Sequence, residues 1–190
     1  MMSVTLMQLW LPILLGGVFC WIASALIHML IKYHNADYKK LSNEDQVADA
    51  IRQGNPSPAL YHMPHCIDMK DMQDEAMQVK FKQGPIAMIS VYPNGMPPMG
   101  KLLLQQLLFF LVACLFIAYV ASLSLATAAV FMDIFQLVMV VSFLTFGYGL
   151  IPNSIWLGQP WSNTLRYLVD ALIYAAVVGA TFAWLWPAAA

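Results

Sequence analysis

Charge is what this chain has least of. Lys, Arg, Asp and Glu make up 10% of its 190 residues and hydrophobic residues 61%, where a soluble domain carries about 25% charged residues. The shortfall is uneven. Of the 19 charged side chains, 14 fall between Tyr33 and Met99, and Lys32 and Lys101 stand at the two ends of that interval. The flanks are almost uncharged runs, long enough to cross the hydrocarbon layer at about 20 residues per helix. That pattern excludes an ordinary soluble domain and points to an all-α membrane fold: four transmembrane helices, with a small α+β cytoplasmic insert between helices 1 and 2.

Other absences narrow the function. The net charge is −1 and no basic stripe with interleaved aromatics occurs, which excludes nucleic acid as the expected partner. Three cysteines, two in apolar runs (Cys20, Cys114) and one in the polar interval (Cys66), do not make a disulfide framework. Met1 to Gln8 holds no Lys or Arg, so the first apolar run is read as an uncleaved anchor rather than a signal peptide. There is no Ser-His-Asp order, phosphate-cradling glycine loop or paired-carboxylate motif, and no enzyme activity is expected. The lone Gly147-Tyr148-Gly149 is read as helix flexibility rather than filter chemistry.

The expected organisation is residues 1–32 as transmembrane helix 1, 33–100 as the polar insert, and 101–190 as helices 2 to 4, at about 102–122, 128–150 and 165–186. In the first span, Leu9 to Ile31, Pro12 falls in the first turns, where a missing N–H is tolerated. Gly16, Cys20, Ser24 and His28 recur every four residues as a stripe of close approach. The helix is expected to run on into water through Tyr33, His34 and Asp37. Ser42 to Asp45 reads as a capping box opening a helix that ends near Gly54. A second short helix is expected over Asp68 to Lys82, with Met69, Met72, Ala76 and Val79 as its apolar face. Ile86 to Tyr92 reads as a strand, and Ala59 to Met63 as its candidate partner. An insert this poor in large apolar side chains is marginal alone and is expected to rest on the membrane ends of the helices.

Pro97-Pro98 makes a stiff approach to span two, and spans two and three form a helical hairpin. Pro152-Asn153 is expected to break the helix, with Trp156, Pro160 and Trp161 in an interfacial belt. Span four repeats small residues at Ala171, Ala175, Gly179 and Ala183. Four spans with both termini periplasmic place all nine Lys and Arg and the insert in the cytoplasm, as the positive-inside rule asks.

The strings IHMLIKYHNADYKKLSNED, YPNGMPPMGK and SIWLGQPWSNTLRYLVDALIYA resemble those of small bacterial inner-membrane proteins with no known activity. The resemblance covers most of the chain. It implies membrane class and a bacterial inner-membrane location, and it transfers no functional residues.

Two constellations carry chemistry. In the polar interval, His62, His65 and Cys66, with Met69 just beyond, offer the soft N and S donors that suit copper or zinc. Their spacing matches no recognised ligand pattern, so a structural loop competes with a metal site. A third reading is a reactive Cys66 thiolate before a helix N-terminus. Inside the apolar runs, Asp170 lies one turn into span four, Arg166 four residues earlier can pair with it, and His28 lies near the same boundary. An ionisable group at membrane depth is a functional hypothesis by default, here set against an interfacial ion pair that fixes helix ends. Asp133 and Gln136 sit near the opposite end of span three, with little polar between. Haem held by His28 and His34 is not expected, because six residues along one helix do not face one iron from opposite sides.

The function expected from sequence is non-enzymatic: an accessory, assembly or scaffolding component, embedded in lipid, with a membrane-protein partner or a second copy of itself and no obligatory cofactor. The small-residue stripes on spans one and four, a compact cytoplasmic insert and the lack of a catalytic constellation motivate it. The alternatives are copper or zinc handling by the His62/His65/Cys66 loop and a small proton-coupled transporter built on Asp170.

Overall fold

The computed structural model describes residues 4–188. The chain separates into two compact units, one of Met1–Tyr38 with Pro98–Ala190 and one of Lys39–Pro97.

The first unit holds four helical stretches long and apolar enough to cross a membrane: Leu6–Ile31, Met99–Ser124, Phe131–Trp156 and Trp161–Trp184. Its regular α-helices are α1 (Trp10–Ala25), α4 (Met99–Ser124), α5 (Phe131–Phe146), the short α6 (Ile151–Trp156) and α7 (Trp161–Trp184). The second unit holds α2 (Glu44–Gln53), α3 (Glu75–Gln83), β1 (Ala59–Met63) and β2 (Ala87–Val91).

In the helical unit α1 packs on α4 and α7, and α5 packs on α7 and α4, closing a four-membered ring. Its centre is largely apolar: Phe110, Ile117, Ile134, Val138, Val178 and Phe182 are fully buried. The outer faces are apolar as well, with Phe19, Leu108, Phe116, Val140 and Leu172 exposed. Exposed apolar area on this scale is costly in water and ordinary in lipid.

The small-residue stripes face inward. A Cβ on Gly16 would sit 3.3 Å from Cys114 Sγ, and one on Gly179 would sit 3.1 Å from the Phe135 ring. Ala171, Ala175 and Ala183 are buried in the same core. The stripes on spans one and four therefore hold this bundle together. They are taken up by packing within this chain, and the accessory-component reading loses one of the features that motivated it.

Three expected boundaries move. The first helix does not run on into water: its last turn, Leu26–Ile31, widens to a π-helix, with Lys32 N–H donating to Ile27 O at 3.0 Å. Lys32 then takes a left-handed conformation at φ 55°, and the chain doubles back into a 3-10 turn, Tyr33–Asp37. The expectation failed because helical periodicity does not register one residue turned left-handed. In span three the break falls at Gly147 rather than at Pro152. A Cβ there would lie 2.7 Å from the Ala171 Cβ of α7, so the bare glycine lets the helices touch. Pro152 sits harmlessly in the first turn of α6. Span four begins at Trp161, which carries Arg166 and Asp170 deeper into the helix than expected.

In the polar unit β1 and β2 pair antiparallel, with Tyr61 opposite Ile89. Asn43 rather than Ser42 occupies the N-cap of α2, and no side chain caps it. The expected second helix is divided into a 3-10 turn, Asp71–Gln73, and α3, because Asp74 is extended between them. Neither α2 nor α3 buries a residue within this unit.

Candidate metal centre

The two sequence departures at the end of α1 build the site. The π-helical turn re-aims His28, and the left-handed Lys32 folds His34 and Asp37 back against α7. Wide turns of this kind recur at functional positions. His34 and Asp37 become buried side chains, 7% and 2% exposed, in a segment that sequence placed in water.

Asp37 is the anchor. Its Oδ1 accepts a charge-assisted hydrogen bond from Arg166 Nη1, its Oδ2 accepts from His34 Nδ1 at 2.6 Å, and its backbone carbonyl accepts from Asn163 Nδ2 at 3.2 Å. Burial alone would push its carboxyl up. The hydrogen bonds and charges of His34 and Arg166 outweigh that and hold it below the usual carboxylate range. The expected Arg166–Asp170 pair does not form, since Arg166 is turned to Asp37 instead.

Asp170 faces the histidines. His34 Nε2 lies 2.8 Å from its Oδ2 and His28 Nε2 lies 3.9 Å from the same atom. Its other oxygen, Oδ1, is buried without a hydrogen-bond partner. The His28 and His34 rings stack with centroids 4.7 Å apart, and Tyr33 and Tyr167 flank His34 at 4.4 and 4.7 Å.

The far nitrogen of each ring is the informative one. His28 Nδ1 is 3.0 Å from the Ser24 carbonyl oxygen. A carbonyl can only accept, so Nδ1 carries the proton and a neutral His28 presents a free Nε2 lone pair. His34 Nδ1 is likewise set against a carboxylate. Each imidazole is thus held from behind by an acceptor while its Nε2 faces Asp170. Metal-ligating histidines are held in just this way, by a carboxylate or a backbone carbonyl on the nitrogen away from the ion. One donor atom from each of His28, His34 and Asp170 lies within 4.8 Å of the others, and among the described residues no other set of three His, Cys or carboxylate donors converges.

In the present geometry a proton does what a cation would do. Both His34 nitrogens lie against carboxyl groups, so either His34 is an imidazolium that donates to both or one carboxyl is protonated and donates to the bare ring nitrogen. An incoming ion must displace the Nε2 proton, and the His28 ring must tilt out of its parallel stack so that both lone pairs converge. His28 has room for that, with its side chain 42% exposed.

A cavity of about 390 Å³ adjoins the cluster. His28 and Asp170 line it at one end. Phe110, Phe146 and Tyr174, edge to face at 5.4–6.0 Å, form an aromatic wall.

The loop candidates fare differently. His62 Nδ1 pairs with the Pro64 carbonyl at 2.8 Å, Cys66 Sγ–H donates to the Asp68 carbonyl at 3.3 Å, and Met69 is 79% exposed. His62, His65 and Cys66 are not brought to a common point. Partial burial and the carboxylates of Asp71 and Asp68 push the Cys66 thiol up, the reverse of the activated thiolate. The helix that was to stabilise it begins further on, at Glu75.

Sequence reading found His28, Arg166 and Asp170 but missed His34 and Asp37 as members of the site. The available signal was a His and an Asp three residues apart beside the last apolar residue of a span. No protein-family model, curated protein or solved structure matches this chain.

Proposed function

We propose that this chain is a multi-pass protein of the bacterial inner membrane that holds one divalent transition-metal ion through His28, His34 and Asp170. The supporting observation is the pair of imidazoles whose Nδ1 atoms are bound by acceptors and whose Nε2 atoms face one buried carboxylate. Two His nitrogens and a carboxylate oxygen suit zinc, and three protein ligands leave a coordination position open, as in zinc sites that act on a bound molecule. Asp37 orients His34 and is itself held by Arg166, which leaves Arg166 outside the ligand set.

The charge distribution supports placing Lys39–Pro97 in the cytoplasm and both termini in the periplasm. The metal centre then lies at the cytoplasmic end of the bundle. The transporter reading has less support. Beyond Asp170 the described core offers only isolated hydroxyls such as Ser142 and Thr181, and the Thr181 hydroxyl is already donated to Val177 O.

The test is metal analysis after zinc loading and exhaustive washing of detergent-solubilised protein. About one equivalent is expected in the wild type and in a His62→Ala/His65→Ala/Cys66→Ser variant, and none in His34→Ala or Asp170→Ala. A wild type that retains no zinc, or zinc lost only from the loop variant, would falsify the assignment.

A further inference from the structure

The cavity beside the cluster is unused by the metal ligands themselves, and its chemistry is specific enough to name an occupant class. We infer that it seats a single-chain carboxylate amphiphile, with the carboxylate on the ion's open position and the chain along the aromatic wall. The inference rests on the metal assignment.

Charge decides the headgroup. Asp37 and Asp170 bring two negative charges, Arg166 one positive, and His28 and His34 none when they act as ligands. A divalent ion leaves the cluster with one net positive charge in an apolar surround, where an uncompensated charge is expensive. A monoanion cancels it, and a neutral headgroup does not. A carboxylate oxygen is also a good zinc ligand. Gln106, which also lines the cavity, offers an amide N–H donor for the second carboxylate oxygen.

Shape and access decide the body. The volume of about 390 Å³ lies at the small end of ligand pockets, which run to about 300–1,000 Å³. It suits one chain rather than a branched lipid. Leu102, Leu103 and Phe109 line it on α4 and are also exposed on the outer face of the helix. In a bilayer that face meets acyl chains, so a lipid carboxylate reaches the ion sideways, without crossing water. Ser24, His28, Gln106, Tyr167, Asp170 and Tyr174 are its hydrogen-bonding lining residues, and the rest of the lining is apolar.

The experiment uses the full chain in a neutral detergent, loaded with Co²⁺ so that its visible absorption reports the ligands of the metal. Decanoate and decanol are the probes. Decanoate is expected to shift the bands saturably, decanol to need at least tenfold more or to do nothing, and Leu103→Trp, which fills the cavity, to lose the decanoate shift while keeping the Co²⁺ spectrum. Bands that decanoate leaves unmoved, or that decanol moves equally, overturn the carboxylate inference and leave the metal site standing. A Leu103→Trp protein that still responds overturns the cavity as the seat. Failure to bind Co²⁺ at all overturns the metal assignment beneath it, and this inference with it.

Discussion

The two units handle charge in opposite ways. In the polar unit the ion pairs lie open to solvent: Arg52 with Asp49, 68% and 63% exposed, and Lys40 with Glu44, 82% and 61% exposed. In the helical unit, where charge is scarce, the side chains of Asp37, His34 and Asp170 are almost fully enclosed, while Arg166 is 31% and His28 42% exposed. Exposed pairs contribute little, because water screens them and two long side chains lose freedom to hold one geometry. Enclosed pairs need not raise stability over an apolar core, yet removing one partner strands the other at high cost. The unit poor in charge is therefore the one that encloses an ion-pair cluster whose members depend on one another.

The widest separation between the units should come from Asp37→Ala. It leaves Arg166 without its carboxylate and His34 Nδ1 without an acceptor, and loss of one member of a buried pair costs about 3–5 kcal/mol. The lower end applies, since Arg166 is partly exposed. Thermal unfolding in detergent should show a fall of many degrees, and a Tm like that of the wild type would mean that the cluster is not closed in solution.

Next in size is the effect of the same residue on metal. Asp37→Asn keeps the shape and an acceptor oxygen but removes the charge behind His34. Loss of such a supporting group typically weakens metal binding about 10–100-fold. Competition against a chelator of known affinity measures it. An unchanged affinity would show that His34 is not a ligand.

Gly147→Ala sharpens the comparison from the side of packing. The added Cβ would meet the Ala171 Cβ at 2.7 Å, both atoms being fixed by backbone, and overpacking of this kind costs about 1–3 kcal/mol. The open Gly95 of the polar unit, with nothing within 4 Å of its Cβ direction, has no such packing limit, though its φ of 119° makes alanine strained there for a conformational reason.

How far sequence carried the structure follows from the same physics. The spans were legible because hydropathy summed over about 20 residues averages out local detail. The two strands, Ala59–Met63 and Ala87–Val91, were legible because short apolar runs bounded by turn residues are local signals. The site was legible only in part. His28, Arg166 and Asp170 stood out as polar residues in apolar runs, but their partners depended on one π-helical turn and one left-handed lysine, which no pattern of side chains announces. The loop cluster misled for the opposite reason: His62, His65 and Cys66 are close in sequence, but His62 and Cys66 turn to nearby backbone carbonyls and the three do not converge.

Cys66 offers a smaller contrast, readable by kinetics. Its thiol is pushed up by partial burial and by Asp71 and Asp68, so less of it is thiolate at neutral pH than in a free peptide, and only the thiolate reacts. Alkylation at pH 7.5 should run slower than for an unstructured cysteine peptide and gain on it as pH rises. Asp71→Asn should speed it by a few-fold. Faster reaction than the peptide would restore the activated-thiol reading.

The smallest effect belongs to Arg52→Ala. Arg52 touches Asp49 one helical turn away, with both side chains largely in water, and pairs of this type contribute about 0.3–0.5 kcal/mol, less in salt. Unfolding midpoints of the variant and the wild type should nearly coincide, and raising the ionic strength should close the remaining gap. Arg166→Ala breaks a pair of the same chemical type, yet strands a carboxylate that is 2% exposed, so its cost should be several times larger and should resist salt. Equal effects at the two arginines would mean that Asp37 is reached by water, and the charge count that calls for an anion on the bound ion would lose its low-dielectric premise.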